Sequence, residues 1–195
     1  MRSHKSSLVT IIFLLSFLSF DLQGQTVKVG ENDLNIGVGF GTPWITTGYY
    51  SVIPPIAVSL DHGFRDDWGK GVITLGGYIG ISRYAQEKEW ESNQQTYQYG
   101  YRYTSTLFTA RVTYHYKVFS GFDTYLGLAG GFRINTKNDY GTWPVNTVDF
   151  NTDANFIPIG RIFIGARYGF NEKIGCFGEL GYGISYFTLG LSFRI

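Results

Sequence analysis

Hydrophobic and polar positions alternate along most of the chain beyond residue 32, and the alternation falls into eight segments. Residues 33–41 set Leu34, Ile36, Val38 and Phe40 on one face against Asn35, Gly37, Gly39 and Gly41 on the other. The same period of two runs through 55–64, 72–83, 105–117, 123–133, 157–169, 175–183 and 186–195. Successive side chains of a strand point to opposite faces, so each segment predicts a strand with one apolar face and one face of small or polar residues. Each is about the 9–11 residues that a tilted strand needs to cross a bilayer.

The eighth segment ends with the sequence itself, with Leu189, Leu191, Phe193 and Ile195 on one face. Such a strand would leave a hydrophobic edge, which proteins avoid, and pairing the last strand with the first removes that edge. The pattern therefore predicts an eight-stranded, antiparallel, up-and-down β-barrel. The connections differ in length: 42–54, 84–104 and 134–156 are long, 65–71, 118–122 and 170–174 are short, and 184–185 is very short. Outer-membrane barrels have short periplasmic turns and longer external loops. An even strand count places both termini in the periplasm and the three long connections outside.

Polarity separates a membrane barrel from a soluble ligand-binding one. The more polar faces carry mostly Gly, Ser, Thr and Ala with a few isolated charges, a poor coat for water but a suitable filling for a narrow interior. Aromatics make up 18% of the chain, charged residues only 16%, and 26 of the 195 residues are Gly. Soluble chains average nearer 25% charged. Residues 1–24 read as a signal peptide, with Arg2, His4 and Lys5 before the apolar run Leu8–Phe20 and Gly24 at the expected cut. The mature barrel domain would then span 25–195, with 14 basic and 14 acidic residues, a balance that offers nucleic acid no basic face. Cys176 is the single cysteine, so neither a disulfide framework nor a lipid-anchoring motif is expected. Tyr114, Tyr116, Tyr168, Tyr182, Tyr186 and Phe187 lie near predicted strand ends, where aromatic girdles form.

The terminal pattern Gly190-x-x-Phe193-x-Ile195 resembles the C-terminal assembly signal of bacterial outer-membrane barrels, with Leu189 where a polar residue usually precedes the Gly. Pro54-Pro55-Ile56-Ala57-Val58-Ser59, Gly76-Gly77-Tyr78-Ile79-Gly80, Gly165-Ala166-Arg167-Tyr168 and Gly178–Ser185 resemble the outer-membrane β-barrel domain family common in Bacteroidota, with a shape like OmpX- and OmpA-type barrels. The resemblance implies insertion by the barrel-assembly machinery, contact with outer-membrane lipid, no cofactor and no catalytic residues.

Asp61, Arg111, His115, Arg161, Arg167, Glu179 and Arg194 all fall on polar faces. Charges inside a narrow barrel must pair. Strand height predicts that Glu179 meets Arg111 and Arg167, in a network that includes Arg161 and Asp61 and fills the barrel. A static plug is the expectation, with a switchable gate as its functional counterpart. Catalysis is not expected: no G-x-S-x-G elbow, Cys/His pair or metal-ligand spacing is present, and His115 and His62 fall near the periplasmic end. The long connections carry Trp90, Tyr97, Tyr99 and Trp143, residue types that anchor partners or glycans. For 84–104 and 134–156 the alternative is an extension of the flanking strands into a protruding hairpin. The expected role is that of a small, non-enzymatic barrel whose loops contact the surroundings or support the envelope. An outer-leaflet lipid-modifying enzyme and an accessory of a secretion or assembly machine are the alternatives. The sequence names no ligand or extracellular partner.

Overall fold

The computed structural model describes residues 27–43, 48–92, 95–141 and 153–195. The expected signal peptide and Trp143 lie outside the described residues. The strands are β1 (Asn32–Phe40), β2 (Tyr50–Arg65), β3 (Gly71–Ser92), β4 (Gln95–Phe119), β5 (Phe122–Gly141), β6 (Asp153–Gly169), β7 (Ile174–Gly181) and β8 (Phe187–Arg194). Each pairs antiparallel with its chain neighbours, and β8 closes on β1 from Asp33↔Arg194 to Phe40↔Phe187. The protein is an eight-stranded, up-and-down, membrane-spanning β-barrel.

The alternation sorts side chains between lumen and lipid. Outward residues form an aliphatic belt: Leu128 is 62% exposed, with Leu126, Ile162, Ile164, Leu180, Leu189 and Leu191 around it. A soluble protein would not leave such a surface bare. Aromatics mark both margins of the belt. Tyr114, Tyr116, Phe119, Phe122, Tyr168 and Phe170 lie towards the end of the barrel that carries the termini, and the Tyr114 hydroxyl donates to the Trp68 carbonyl at 3.2 Å. The Phe108–Phe132–Phe156 row lies towards the opposite, loop end, with centroid separations of 5.4 and 4.7 Å; Tyr182 and Tyr186 stand 6.3 Å apart there, and Phe187 lies 6.2 Å from Phe40.

Small residues let the lumen close. A Cβ on Gly37 or Gly190 would overlap the opposite strand and the Phe177 ring, so these facing glycines make room for that ring. Gly190 thus has a packing role, while Phe193 falls on the outward face of β8 and the exposed Ile195 just beyond it donates its N–H to the Asn32 carbonyl at 3.0 Å. Gly121, in the two-residue turn between β4 and β5, has φ of 79°, a conformation that favours glycine.

The expected connections differ in extent: 50–54 belongs to β2, 134–141 to β5 and 153–156 to β6, and the alternative of strands extended beyond the membrane is the one observed. Most of 84–104 is strand: β3 and β4 stay in register from Arg83↔Thr104 to Ser92↔Gln95, and β5 follows to Tyr99↔Gly141. The cross-strand ladder continues because Tyr97, Tyr99, Tyr101 and Tyr103 keep the alternation going. The expected 184–185 connection runs over residues 182–186 instead. It folds inward, burying Ile184 and Ser185, and its ends are tied by Gly181 N–H to the Tyr186 carbonyl at 2.9 Å. Ile184 meets Ala57, Tyr78 and Leu107, with Ile159 packed alongside, in an apolar layer that covers the loop end of the lumen.

Candidate functional site

The lumen below that layer is filled by charge. Asp61, Arg111, Arg161, Arg167 and Glu179 are each at most 7% exposed. Glu179 on β7 takes Arg111 Nη1 at 3.2 Å through one oxygen and Arg161 Nη2 at 2.7 Å through the other. Arg111 also places Nε 3.1 Å from Asp61 Oδ1. The Arg161 guanidinium lies 4.3 Å from the Tyr78 ring centroid and 4.9 Å from that of Phe163; Arg111 lies 4.5 Å from Phe163. Aromatic faces thus add to the partners of these buried cations. The Tyr125 hydroxyl donates to Glu179 at 3.4 Å.

The network continues towards the termini. Asn35 Nδ2 donates to Asp61 and to Ser59, each at 3.0 Å, while its Oδ1 accepts from Arg167 at 3.4 Å. Arg167 binds Asp33 at 2.6 Å, Arg194 approaches Asp33 at 3.4 Å, and Arg194 reaches Glu31 at 2.8 Å. Polar partners therefore run unbroken from mid-barrel to its terminal end. The expected Glu179–Arg167 contact is corrected: Arg161 occupies that place, and Arg167 crosses the lumen to Asp33. Asp33 stands on β1, separated from β6 by β7 and β8 around the closed wall, and meets Arg167 only across the lumen, so its role was missed. Its signal was parity, for it stands on the same face as Asn35.

His115 Nδ1 lies 3.0 Å from Asp123 Oδ1, with the Tyr125 ring beside it at 4.8 Å. The pair is buried at the terminal end, remote from the loop rim. Among the described residues, no group of three His, Cys, Asp or Glu side chains is placed to hold a metal ion. At the terminal mouth, residues 28–31 turn back beneath Gly63, where a side chain would overlap the Lys28 carbonyl. Val27 is buried there. Side chains and both end segments leave the lumen as a packed interior.

The tall part of the wall offers a different surface. Past Ile81, Thr106 and Ile134, β3, β4 and β5 leave the apolar belt as a three-stranded sheet. Tyr99, Tyr101 and Tyr103 occupy alternate positions of β4 and so share the face continuous with the lumen. Tyr99 and Tyr101 meet edge to face at 4.8 Å, Tyr101 and Tyr103 lie 6.5 Å apart, and Tyr49 packs on Tyr103 at 5.6 Å. Lys137 Nζ lies 4.0 Å from the Tyr101 centroid and 3.4 Å from Asp139. The hydrogen bond with Tyr101 pushes the Tyr99 phenol up to about 12, and burial beside Tyr49 does the same for Tyr103, so both stay neutral at physiological pH. The backbones of Trp90 and Tyr97 pair across the hairpin, so Tyr97 continues the parity of the row.

This architecture defines the class of the protein, a small eight-stranded transmembrane barrel with a filled lumen and one protruding sheet. No protein-family model matches the chain, and no curated protein matches it. Among solved structures it is similar to Ail, the attachment invasion locus protein of Yersinia pestis, in complex with the heparin analogue sucrose octasulfate. That match has 11% identity and a TM-score of 0.50, covering 86% of this chain and all of the other. The N-terminal β-barrel domain of Pseudomonas aeruginosa OprF matches at 14% identity and a TM-score of 0.46, covering 88% of this chain and 99% of that one.

Proposed function

We propose that the protein is a non-enzymatic barrel of the bacterial outer membrane whose protruding β3–β4–β5 sheet is an external contact surface. With the short turns and termini on the periplasmic side, that sheet rises outside the cell. The observation that carries the reading is the tyrosine row Tyr99–Tyr101–Tyr103, flanked by Lys137 and Asp139, above a packed lumen. Stacked phenols offer flat apolar area with a hydroxyl at the edge, at little cost in side-chain entropy. Such a face suits sugar rings or a polypeptide loop. A diffusion pore is disfavoured, since eight strands enclose room only for side chains. Catalysis is disfavoured because the His115–Asp123 pair lies buried at the opposite end from the exposed face.

The test uses the full-length barrel in lipid nanodiscs, applied to an array of bacterial and host glycans and surface glycoproteins. The native protein is expected to retain at least one probe that the triple variant Tyr99→Ala/Tyr101→Ala/Tyr103→Ala loses. If nothing is retained, or retention is equal for the variant, the contact-surface reading fails. Recovery in the inner-membrane or soluble fraction of the producing cell would overturn the location.

A further inference from the structure

The lipid-facing wall is not evenly filled. Gly77, Ala110 and Gly130 stand side by side on the outward faces of β3, β4 and β5. A side chain added to Gly77 or Gly130 would meet nothing within 4 Å. Phe108 and Phe132, with ring centroids 5.4 Å apart, wall this hollow on the loop side. In the other direction it runs past Leu75 and Leu60 to His62 and Asn32, a groove of about 730 Å³ in all. That volume lies within the roughly 300–1,000 Å³ of small-molecule sites.

The groove has a polar end and an apolar end. His62 Nδ1 and Asn32 Oδ1 lie 2.9 Å apart on the exposed surface of the terminal margin, beside the turn that pairs Gly30 with Gly63. From there the register carries the groove around the wall: Asn32 faces His62, Leu60 faces Gly77, Gly77 faces Ala110 and Ala110 faces Gly130. These are the four strand intervals from β1 to β5, about 19 Å at 4.7–4.9 Å each. Ala110 stands six residues from Tyr116 of the terminal aromatic margin, about 20 Å along a strand. The tilt of membrane strands reduces this to about 15 Å of depth, half of the roughly 30 Å hydrocarbon core. The groove therefore spans one leaflet, the leaflet on the side of the termini.

We propose that this groove binds one acyl chain of a glycerophospholipid from the periplasmic leaflet, with the polar head at His62 and Asn32 and the methyl end against Phe108 and Phe132. The groove opens onto the aliphatic belt, so it is continuous with the surface that already meets lipid, and the class of occupant follows from that continuity. Its polarity runs from a polar mouth at the margin to an apolar end at mid-depth. That is the order of a lipid hanging from the terminal side and the reverse of one hanging from the loop side. Within a bilayer the gain on seating a chain here is van der Waals contact with otherwise bare glycine backbone. The inference rests on the outer-membrane placement above and on no property of the tyrosine face.

The test reconstitutes the full-length barrel in phosphatidylethanolamine nanodiscs doped with the same lipid carrying a photoreactive diazirine. The diazirine sits at the chain end in one preparation and next to the ester in another. After irradiation, labelled peptides are quantified by mass spectrometry. The chain-end probe is expected to label β4 and β5 around Phe108 and Gly130 several-fold more than β8 around the lipid-exposed Leu189 and Leu191. The ester-end probe is expected to label β2 and β3 around Leu60 and Leu75. Gly77→Leu/Gly130→Leu fills the groove without altering charge and is expected to bring the chain-end label down to the β8 level. Unboiled gel mobility confirms that the variant is folded. Even labelling around the belt, a native pattern in the filled variant, or the reverse order of the two probes would overturn the proposal. Ordered labelling of a barrel that retains no glycan would uphold it while the tyrosine-face reading fails.

Discussion

On one side of the barrel β3, β4 and β5 run 22, 25 and 20 residues; on the other β7, β8 and β1 run eight, eight and nine. Both sides obey the same rule through the membrane, with aliphatic residues outward and small or charged residues inward. They part company at the loop end. The short side turns in, and Ile184 closes the lumen. The tall side keeps its ladder of backbone hydrogen bonds, and its inward face continues beyond the lumen as tyrosine, lysine and aspartate. Stability is concentrated where the wall is filled, and recognition is proposed where it is tall.

The largest effect is expected in the filled part. Glu179→Ala should remove about 3 kcal/mol from unfolding in urea with lipid vesicles, because it deprives two buried guanidinium groups of a partner. A double-mutant cycle sharpens the assignment. Arg161→Ala should couple to Glu179→Ala by more than about 0.5 kcal/mol, whereas Arg167→Ala should be close to additive with it. Coupling through Arg167 and none through Arg161 would refute the observed pairing.

Next comes the belt that both sides share. Leu128→Arg should cost about 2–4 kcal/mol and reduce the heat-modifiable fraction on gels, since mid-bilayer arginine on the lipid face is costly. Unchanged refolding yield would contradict the outward placement of that column. At the short side's inward turn, Ile184→Ala should cost about 2 kcal/mol by opening a cavity among Ala57, Tyr78 and Leu107. An equivalent truncation beyond the belt on the tall side should stay within about 0.5 kcal/mol. Similar losses at both places would erase the contrast.

The smallest effect is in titration. Tyr103 in the folded protein holds its proton to about 12, above the value near 10 of an exposed phenol. Between these values the folded state binds more proton than the unfolded state, so this group's contribution to stability is complete below about pH 10 and fades as pH rises. Tyr103→Phe should remove one late-titrating phenol from the ultraviolet absorbance curve and flatten the alkaline loss of stability. A curve identical to the native one would contradict the buried setting of that ring.

Much of the fold was legible because alternation is a local property. The columns Leu34–Ile36–Val38 and Ile162–Ile164 reveal their outward face without knowledge of any partner, and the apolar closing strand implied its pairing with the first. The tall hairpin was less legible. Its alternation is between tyrosine and polar residues, which looks like a loop when strands are sought by aliphatic residues. The inward turn at Ile184 was illegible for another reason: a buried residue in a connection has no period to reveal it.

The sequence by itself determined the strand count, the antiparallel meander, which face of each strand meets lipid, and the central charges of the lumen, though not Asp33 or Asp123. Each follows from periods of two and from the cost of leaving a hydrophobic edge or an unpaired interior charge. Only the tertiary structure decided which charges meet. Glu179 with Arg161, and Arg167 with Asp33 across 134 positions, depend on the stagger at which eight strands close and on side-chain reach across the lumen. Those distances are properties of the closed barrel and of no strand within it.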